Sequence, residues 1–146
     1  MPASLSFDLH VLTARLDRAA DRILRAEVGV SYSRFLTLFM VTAVHASSQR
    51  ALAECLGVTE PSVSRMTGVL GRAGLLRIEA DSRGGNRRAL ALTPEGQVLV
   101  ERCRELLDAE FEALMQRSGV PAEAYARNTR RLLAALGTGG TELVRP

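Results

Sequence analysis

Within residues 47–96 the chain passes through two helix-forming stretches separated by a tight turn. An arginine-tipped hairpin follows and leads straight into another helix. No other stretch restricts the fold as much, because a short helix pair followed by a basic hairpin can set one helix in a DNA major groove with a loop beside it. Ser47 or Ser48 can cap a helix over Gln49–Leu56, since a hydroxyl accepts from the first free backbone N–H groups. Leu52 and Leu56 then share a face, with Ala53 beside them, and Gly57 supplies the turn. Thr59 offers a second cap, and Pro61 fits the first turn of a helix over 60–72, where its missing N–H costs little. Val63, Met66 and Leu70 are its expected apolar stripe. At about 100° per residue the opposite face carries Pro61, Arg65, Gly68 and Arg72, flanked by Ser62 and Ser64. No bulky apolar side chain blocks that face from a groove. Arg65 can fork onto a guanine edge, and Thr59, Pro61, Ser62 and Ser64 can line the groove or reach phosphate. An ordinary amphipathic surface helix would show the same pattern, so the helix alone does not decide.

The hairpin shifts the balance. Leu76, Ile78 and Ala80 alternate with Arg77 and Glu79, and Leu90 and Leu92 alternate on the return, the period of a half-buried strand. Between them lies Asp81-Ser82-Arg83-Gly84-Gly85-Asn86-Arg87-Arg88, whose glycines and asparagine allow the positive φ of a turn. Narrow minor grooves concentrate negative potential and draw in arginine. Arg83 suits that role, Asp81 can pair with it and hold it in place, and Arg87 or Arg88 can bind the backbone.

These residues resemble the MarR family of bacterial transcription regulators. The resemblance rests on Leu52-Ala53, Gly57-Val58, Pro61-Ser62-Val63-Ser64-Arg65, Leu70 and Gly74-Leu75-Leu76. It continues through the Asp81-x-Arg83 pair and Leu92-Thr93-Pro94-Glu95-Gly96. Length and helix order extend it over nearly the whole chain. The Gly84-Gly85-Asn86 stretch departs from it, since family members often carry more charge and less glycine there. So does Arg34, where many members have a neutral residue ahead of the aromatic Phe35. The resemblance implies a mainly α fold with a small β-hairpin wing, a winged helix-turn-helix flanked by N- and C-terminal dimerisation helices. It implies a repressor that binds a pseudo-palindromic operator as a homodimer. It also implies a small aromatic or phenolic acid effector, held between the dimer helices and the winged region, that favours a state with the wrong recognition-helix spacing. Arg15, Tyr32, Arg34 and His45 are the polar groups expected near that junction, although each also suits an ordinary surface or packing role.

The flanks fit such an organisation. Over residues 6–27, Leu9, Leu12, Leu16, Ala19, Ala20 and Ile23 recur at helical spacing, and Gly29 ends the helix. Ser31 can cap a second helix that turns Phe35, Leu38, Phe39 and Thr42 inward. Thr93 and Pro94 start a long helix to about residue 117, with Leu99, Cys103, Leu106, Leu107, Phe111 and Leu114 as its stripe. A last helix over 121–136 carries Tyr125, Leu132, Leu133 and Leu136, and Gly137 stops it. The expected division is therefore one compact chain in three parts: 1–46, an N-terminal dimerisation helix and a second helix; 47–93, the winged DNA-binding region; 94–146, the long linker helix and a C-terminal dimerisation helix. Terminal helices that cannot bury their stripes within one small chain pack on a partner, most simply as a two-fold dimer.

Charge agrees. Every basic side chain is arginine, and residues 47–93 hold seven arginines against four acids, so the excess sits on the proposed DNA-binding segment. Neither an apolar run of membrane-spanning length nor a signal pattern at Met1 is present, and the expected location is the cytoplasm. No catalytic constellation, metal-ligand spacing or phosphate loop is legible; His10 and His45 lie in separate segments, and Glu101, Glu105, Asp108 and Glu112 read as a solvated face. The chain reads as a regulator without cofactor or metal, not an enzyme. Cys103 falls within an apolar stripe and reads as an inert thiol. Cys55 lies on the first helix of the pair and carries an alternative, redox-sensing regulation, in which oxidation tilts the DNA-reading unit. A second alternative is a winged-helix protein–protein adaptor that never touches DNA.

Overall fold

The computed structural model describes residues 4–43, 48–80 and 88–136 of the 146. Among the described residues six helices and one hairpin follow in order: α1 Leu5–Glu27, α2 Tyr32–Ala43, α3 Gln49–Leu56, α4 Glu60–Arg72, β1 Leu76–Ala80, β2 Arg88–Leu92, α5 Pro94–Ser118 and α6 Ala122–Leu136. This is a winged helix-turn-helix between long terminal helices, as the sequence implies.

Capping chemistry sets the starts. Ser48 accepts from the Ala51 N–H at α3, Thr59 from Ser62 N–H at α4, and Thr93 from Gly96 N–H at α5. Gly57 closes α3 in the left-handed region at φ 66°, where a Cβ is disfavoured, and turns the chain into α4. Ser31 caps α2 by accepting from Arg34 N–H, and an acceptor from another helix joins it: Asp21 Oδ1 on α1 takes the Tyr32 N–H at 2.9 Å. That bond and the neighbouring Arg25 guanidinium hold the Asp21 carboxyl below the ordinary aspartate range.

The core gathers Leu24, Val30, Phe35, Leu38 and Val41 from the first two helices and the loop between them. Leu52, Ala53, Val63 and Leu70 join from the helix pair, Leu76, Leu90 and Leu92 from the hairpin, and Val100 and Cys103 from α5. The hairpin is antiparallel, with Leu76 opposite Leu92, Ile78 opposite Leu90 and Ala80 opposite Arg88. Its alternation follows the expected inner face through Ile78, but Ala80 is exposed.

Several expected stripes are rotated. On α2 the buried set is Phe35, Thr37, Leu38 and Val41, while Thr42 faces out and donates back to the Phe39 carbonyl. On α5 the buried set is Gly96, Val100, Cys103 and Met115, whereas Phe111 is exposed. Leu24, wholly buried, is the anchor of α1. Near Gly96, α5 comes so close to the α4–β1 turn that a Cβ would lie 2.1 Å from the Leu75 carbonyl oxygen. Thr93 completes this joint, donating through its hydroxyl to the Gly74 carbonyl at 2.6 Å and through its N–H to the Leu75 carbonyl at 3.2 Å.

Candidate nucleic-acid interface

Helix α4 presents the candidate reading face because its other side is committed to the core. Val63, Thr67 and Leu70 are buried at i, i+4 and i+7, and this fixes the rotation of the helix about its axis. Pro61, Ser64, Arg65 and Arg72 are consequently exposed, with Gly68 half-buried among them. The Arg72 guanidinium folds back toward Gly68, where an added Cβ would lie 3.5 Å from Nη1. Among the described residues no carboxylate pairs with Arg65, whose guanidinium carries five donors.

Thr59 caps α4, as its place ahead of Pro61 predicts. Thr59 accepts from Ser62 N–H and donates to Ser62 Oγ at 3.0 Å, which leaves Ser62 half-buried and occupied with its cap. The helix start, with its free N–H groups and Glu60 in the first turn, lies beside this pair. Thr59, Ser64, Arg65 and Arg72 are therefore exposed on the polar face, while Ser62 is half-buried. Thr67 was not among the expected stripe residues; it replaces Met66, which is only half-buried, as the central buried position of α4.

At the hairpin, β1 and β2 bring the chain to Ala80 on one side and Arg88 on the other. Asp81, Arg83 and Arg87 lie outside the described residues, as does the Arg88 side chain. Arg77 and Glu79 are exposed on the outer face.

Arg15 and Arg34 are exposed, Tyr32 is half-buried, and His45 lies outside the described residues. Burial, with the Asp17 charge nearby, pushes the Tyr32 phenol up and keeps it neutral. Tyr32 and Phe39 flank Phe35, with ring centroids 6.1 and 5.7 Å away. Two open surface hollows occur elsewhere. One of about 440 Å³ lies between Arg50, Glu54, Val58 and Glu60, and one of about 520 Å³ lies at the α5–α6 corner beside Phe111, Met115 and Val120.

Both cysteines are free thiols, Cys55 half-buried and Cys103 wholly buried. Burial and the adjacent Glu54 push the Cys55 thiol up, which disfavours the reactive thiolate. Cys103 is raised by burial against the opposing pull of Arg102. No group of His, Cys, Asp and Glu among the described residues has the geometry to hold a metal ion, and no described helix is long and apolar enough to cross a membrane.

Comparison with known proteins follows the same geometry. Residues 28–88, which span α2 to the start of β2, match the model of the MarR family. A search of curated proteins finds no match. Among solved structures the chain is similar to wild-type MarR of E. coli in its apo form, at 18% identity and a TM-score of 0.76, covering 93% of this chain and 98% of that one. It is similar to MepR of S. aureus in complex with DNA, at 22% identity and a TM-score of 0.73, with the same coverage. It is also similar to CouR of Rhodococcus jostii bound to p-coumaroyl-CoA, at 18% identity and a TM-score of 0.77, over 99% of this chain and all of that one.

Proposed function

We propose that the chain, whose residues 28–88 match the MarR family model on a winged helix-turn-helix fold, is a MarR-type sequence-specific transcription repressor acting as a homodimer on a pseudo-palindromic operator. The observation that carries this reading is the α4 face, where Arg65, Ser64 and Arg72 stand exposed on a helix whose rotation is fixed by Val63, Thr67 and Leu70. Arg65 reads a base edge, and Pro61 and Ser64 line the groove. Arg83, steadied by Asp81, enters the minor groove, while Arg87 or Arg88 holds phosphate. Thr59 and Ser62 contribute by capping the helix and directing its N–H groups at the backbone.

The homodimer is supported by the apolar residues that one chain leaves exposed at both ends: Leu5, Phe7 and Leu9 on α1, and Leu132, Leu133 and Leu136 on α6. Two recognition helices related by a two-fold axis call for half-sites about one helical turn apart. An aromatic or phenolic acid effector is the regulatory reading. The similar CouR structure holds an aromatic acyl-CoA, and Arg15, Tyr32, Arg34 and His45 remain the candidate contacts here. A cytoplasmic location belongs to the same reading.

Fluorescence anisotropy on the duplex upstream of the protein's own gene, against a scrambled duplex across a salt series, tests the reading. Tight, selective binding with a steep salt slope is expected. Weak binding that is equal on both duplexes would favour the adaptor alternative. Arg65→Ala should lose roughly 1–3 kcal/mol on the specific duplex and relax one position of specificity. An equal loss on the scrambled duplex would contradict base reading by Arg65.

A further inference from the structure

Behind the exposed face of α4 lies a polar junction that is largely shielded from solvent, with Thr67 at its buried end. Ser48 pairs through its backbone with Ala89 of β2 as an isolated antiparallel bridge, while its hydroxyl caps α3. The next residue, Gln49, is half-buried and donates from Nε2 to Thr67 Oγ1 at 3.1 Å. Thr67 has 0% exposure, and its hydroxyl in turn donates to the Ser64 carbonyl at 3.2 Å. Two consecutive residues thus reach the hairpin on one side and α4 on the other. The last acceptor in the relay belongs to the residue directly before Arg65.

Packing alone does not call for threonine at this place. Valine has the same shape without the hydroxyl, and a buried hydroxyl is tolerated only because both its hydrogen bonds are made. What the hydroxyl adds is direction. Apolar contacts among Leu52, Val63 and Leu70 fix which face of α4 turns inward but carry little directional preference of their own, whereas a hydrogen bond weakens steeply when its angle is lost. Among the described residues no buried side-chain polar atom lacks a partner, so the relay is complete.

We propose that Gln49 and Thr67, anchored to β2 through Ser48, are positioning residues for DNA reading. They set the angle of α4 against the hairpin so that Arg65 and the strands beside it address the duplex together. Neither side chain needs to touch DNA. The role rests on the DNA-reading assignment of α4, and its test separates the two.

A random duplex pool is first enriched with the wild-type protein. The enriched duplex and its scrambled counterpart are then titrated with wild type, Thr67→Val, Thr67→Ser, Gln49→Leu and the Thr67→Val/Gln49→Leu pair. Measurements are made where circular dichroism shows each protein folded. Thr67→Val should lower the ratio of specific to scrambled affinity about fivefold, the size of one net buried hydrogen bond, with scrambled affinity unchanged. Thr67→Ser should keep the wild-type ratio, and the double variant should lose no more than either single one. Should Thr67→Val fail to fold, Gln49→Leu at its half-buried position carries the same expectation. A wild-type ratio in the folded single variants, or losses that add in the pair, would overturn the clamp while leaving α4 as the reading helix. A pool that yields no enriched duplex would overturn the DNA-reading assignment and the positioning role together.

Discussion

The helix-turn-helix with its hairpin and the terminal helices draw on the same apolar residue types yet use them in opposite ways. Leu52 and Leu70 are 0% and 1% exposed, whereas Phe7 and Leu136 are 65% and 81% exposed. In the first region caps, a left-handed glycine and a two-strand ladder return the chain on itself within about 45 residues, so Leu52, Val63, Leu70, Leu76, Leu90 and Leu92 are all buried. In the second, a 23-residue α1 and a 15-residue α6 extend past the core, and α6 has no buried residue. The difference separates a unit whose core is completed within one chain from one whose apolar side chains are left for the proposed second chain. It also puts the proposed DNA-reading face on the part whose core is complete.

The sharpest way to break this contrast is at the joint between the regions. Gly96→Ala would drive a Cβ into the Leu75 carbonyl, a backbone atom that cannot yield without moving the α4–β1 turn. The expected cost is about 3 kcal/mol, at the upper end for overpacking. Urea titration followed by circular dichroism measures it. A near-neutral variant would mean that α5 and the reading unit are not firmly coupled.

A smaller effect is expected at α6. Replacing Leu132 and Leu136 together by serine should raise the dimer dissociation constant roughly a hundredfold, given the area two leucines per protomer would bury. Sedimentation velocity over a dilution series reads this directly. An unchanged oligomeric state would show that the exposed end of α6 is not the contact surface.

The smallest effect concerns the α1–α2 tie. Asp21 accepts from Tyr32 N–H and pairs with Arg25, so its folded pKa lies below the unfolded value. The stabilisation is therefore present above roughly pH 3.9, the ordinary aspartate value, and lost as pH falls through the depressed folded pKa. Denaturant midpoints of wild type and Asp21→Asn should differ by a constant amount near neutrality and converge in acid. A gap that persists at the acid end would remove the charged carboxylate as its source.

How much of this was legible depended on distance along the chain. Ser48, Gly57, Thr59, Pro61 and Thr93 act on groups within a few residues, and the helix boundaries they imply are the ones observed. The hairpin was legible for the same reason, since alternation is a local pattern. The burial of Thr67 was not, because its hydroxyl becomes acceptable only when Gln49 arrives from 18 residues away. No pattern along α1 marks Asp21 as a cap for α2, because that role needs the two helices to be placed side by side. The effector residues were the least legible, since they were assigned from resemblance and depend on side chains converging from separate helices.

By itself the sequence determined the order of elements, the caps that bound them, the arginine-rich strip and the face of α4 turned outward. Those properties follow from torsional preference, periodicity and charge, which act over one or two turns of chain. Tertiary structure alone decided which apolar stripes are finished within the chain, that Gly96 must lack a side chain, and that a buried threonine on α4 meets Gln49 of α3. Close packing and hydrogen-bond direction depend on atoms brought together from distant positions, and no local pattern records them.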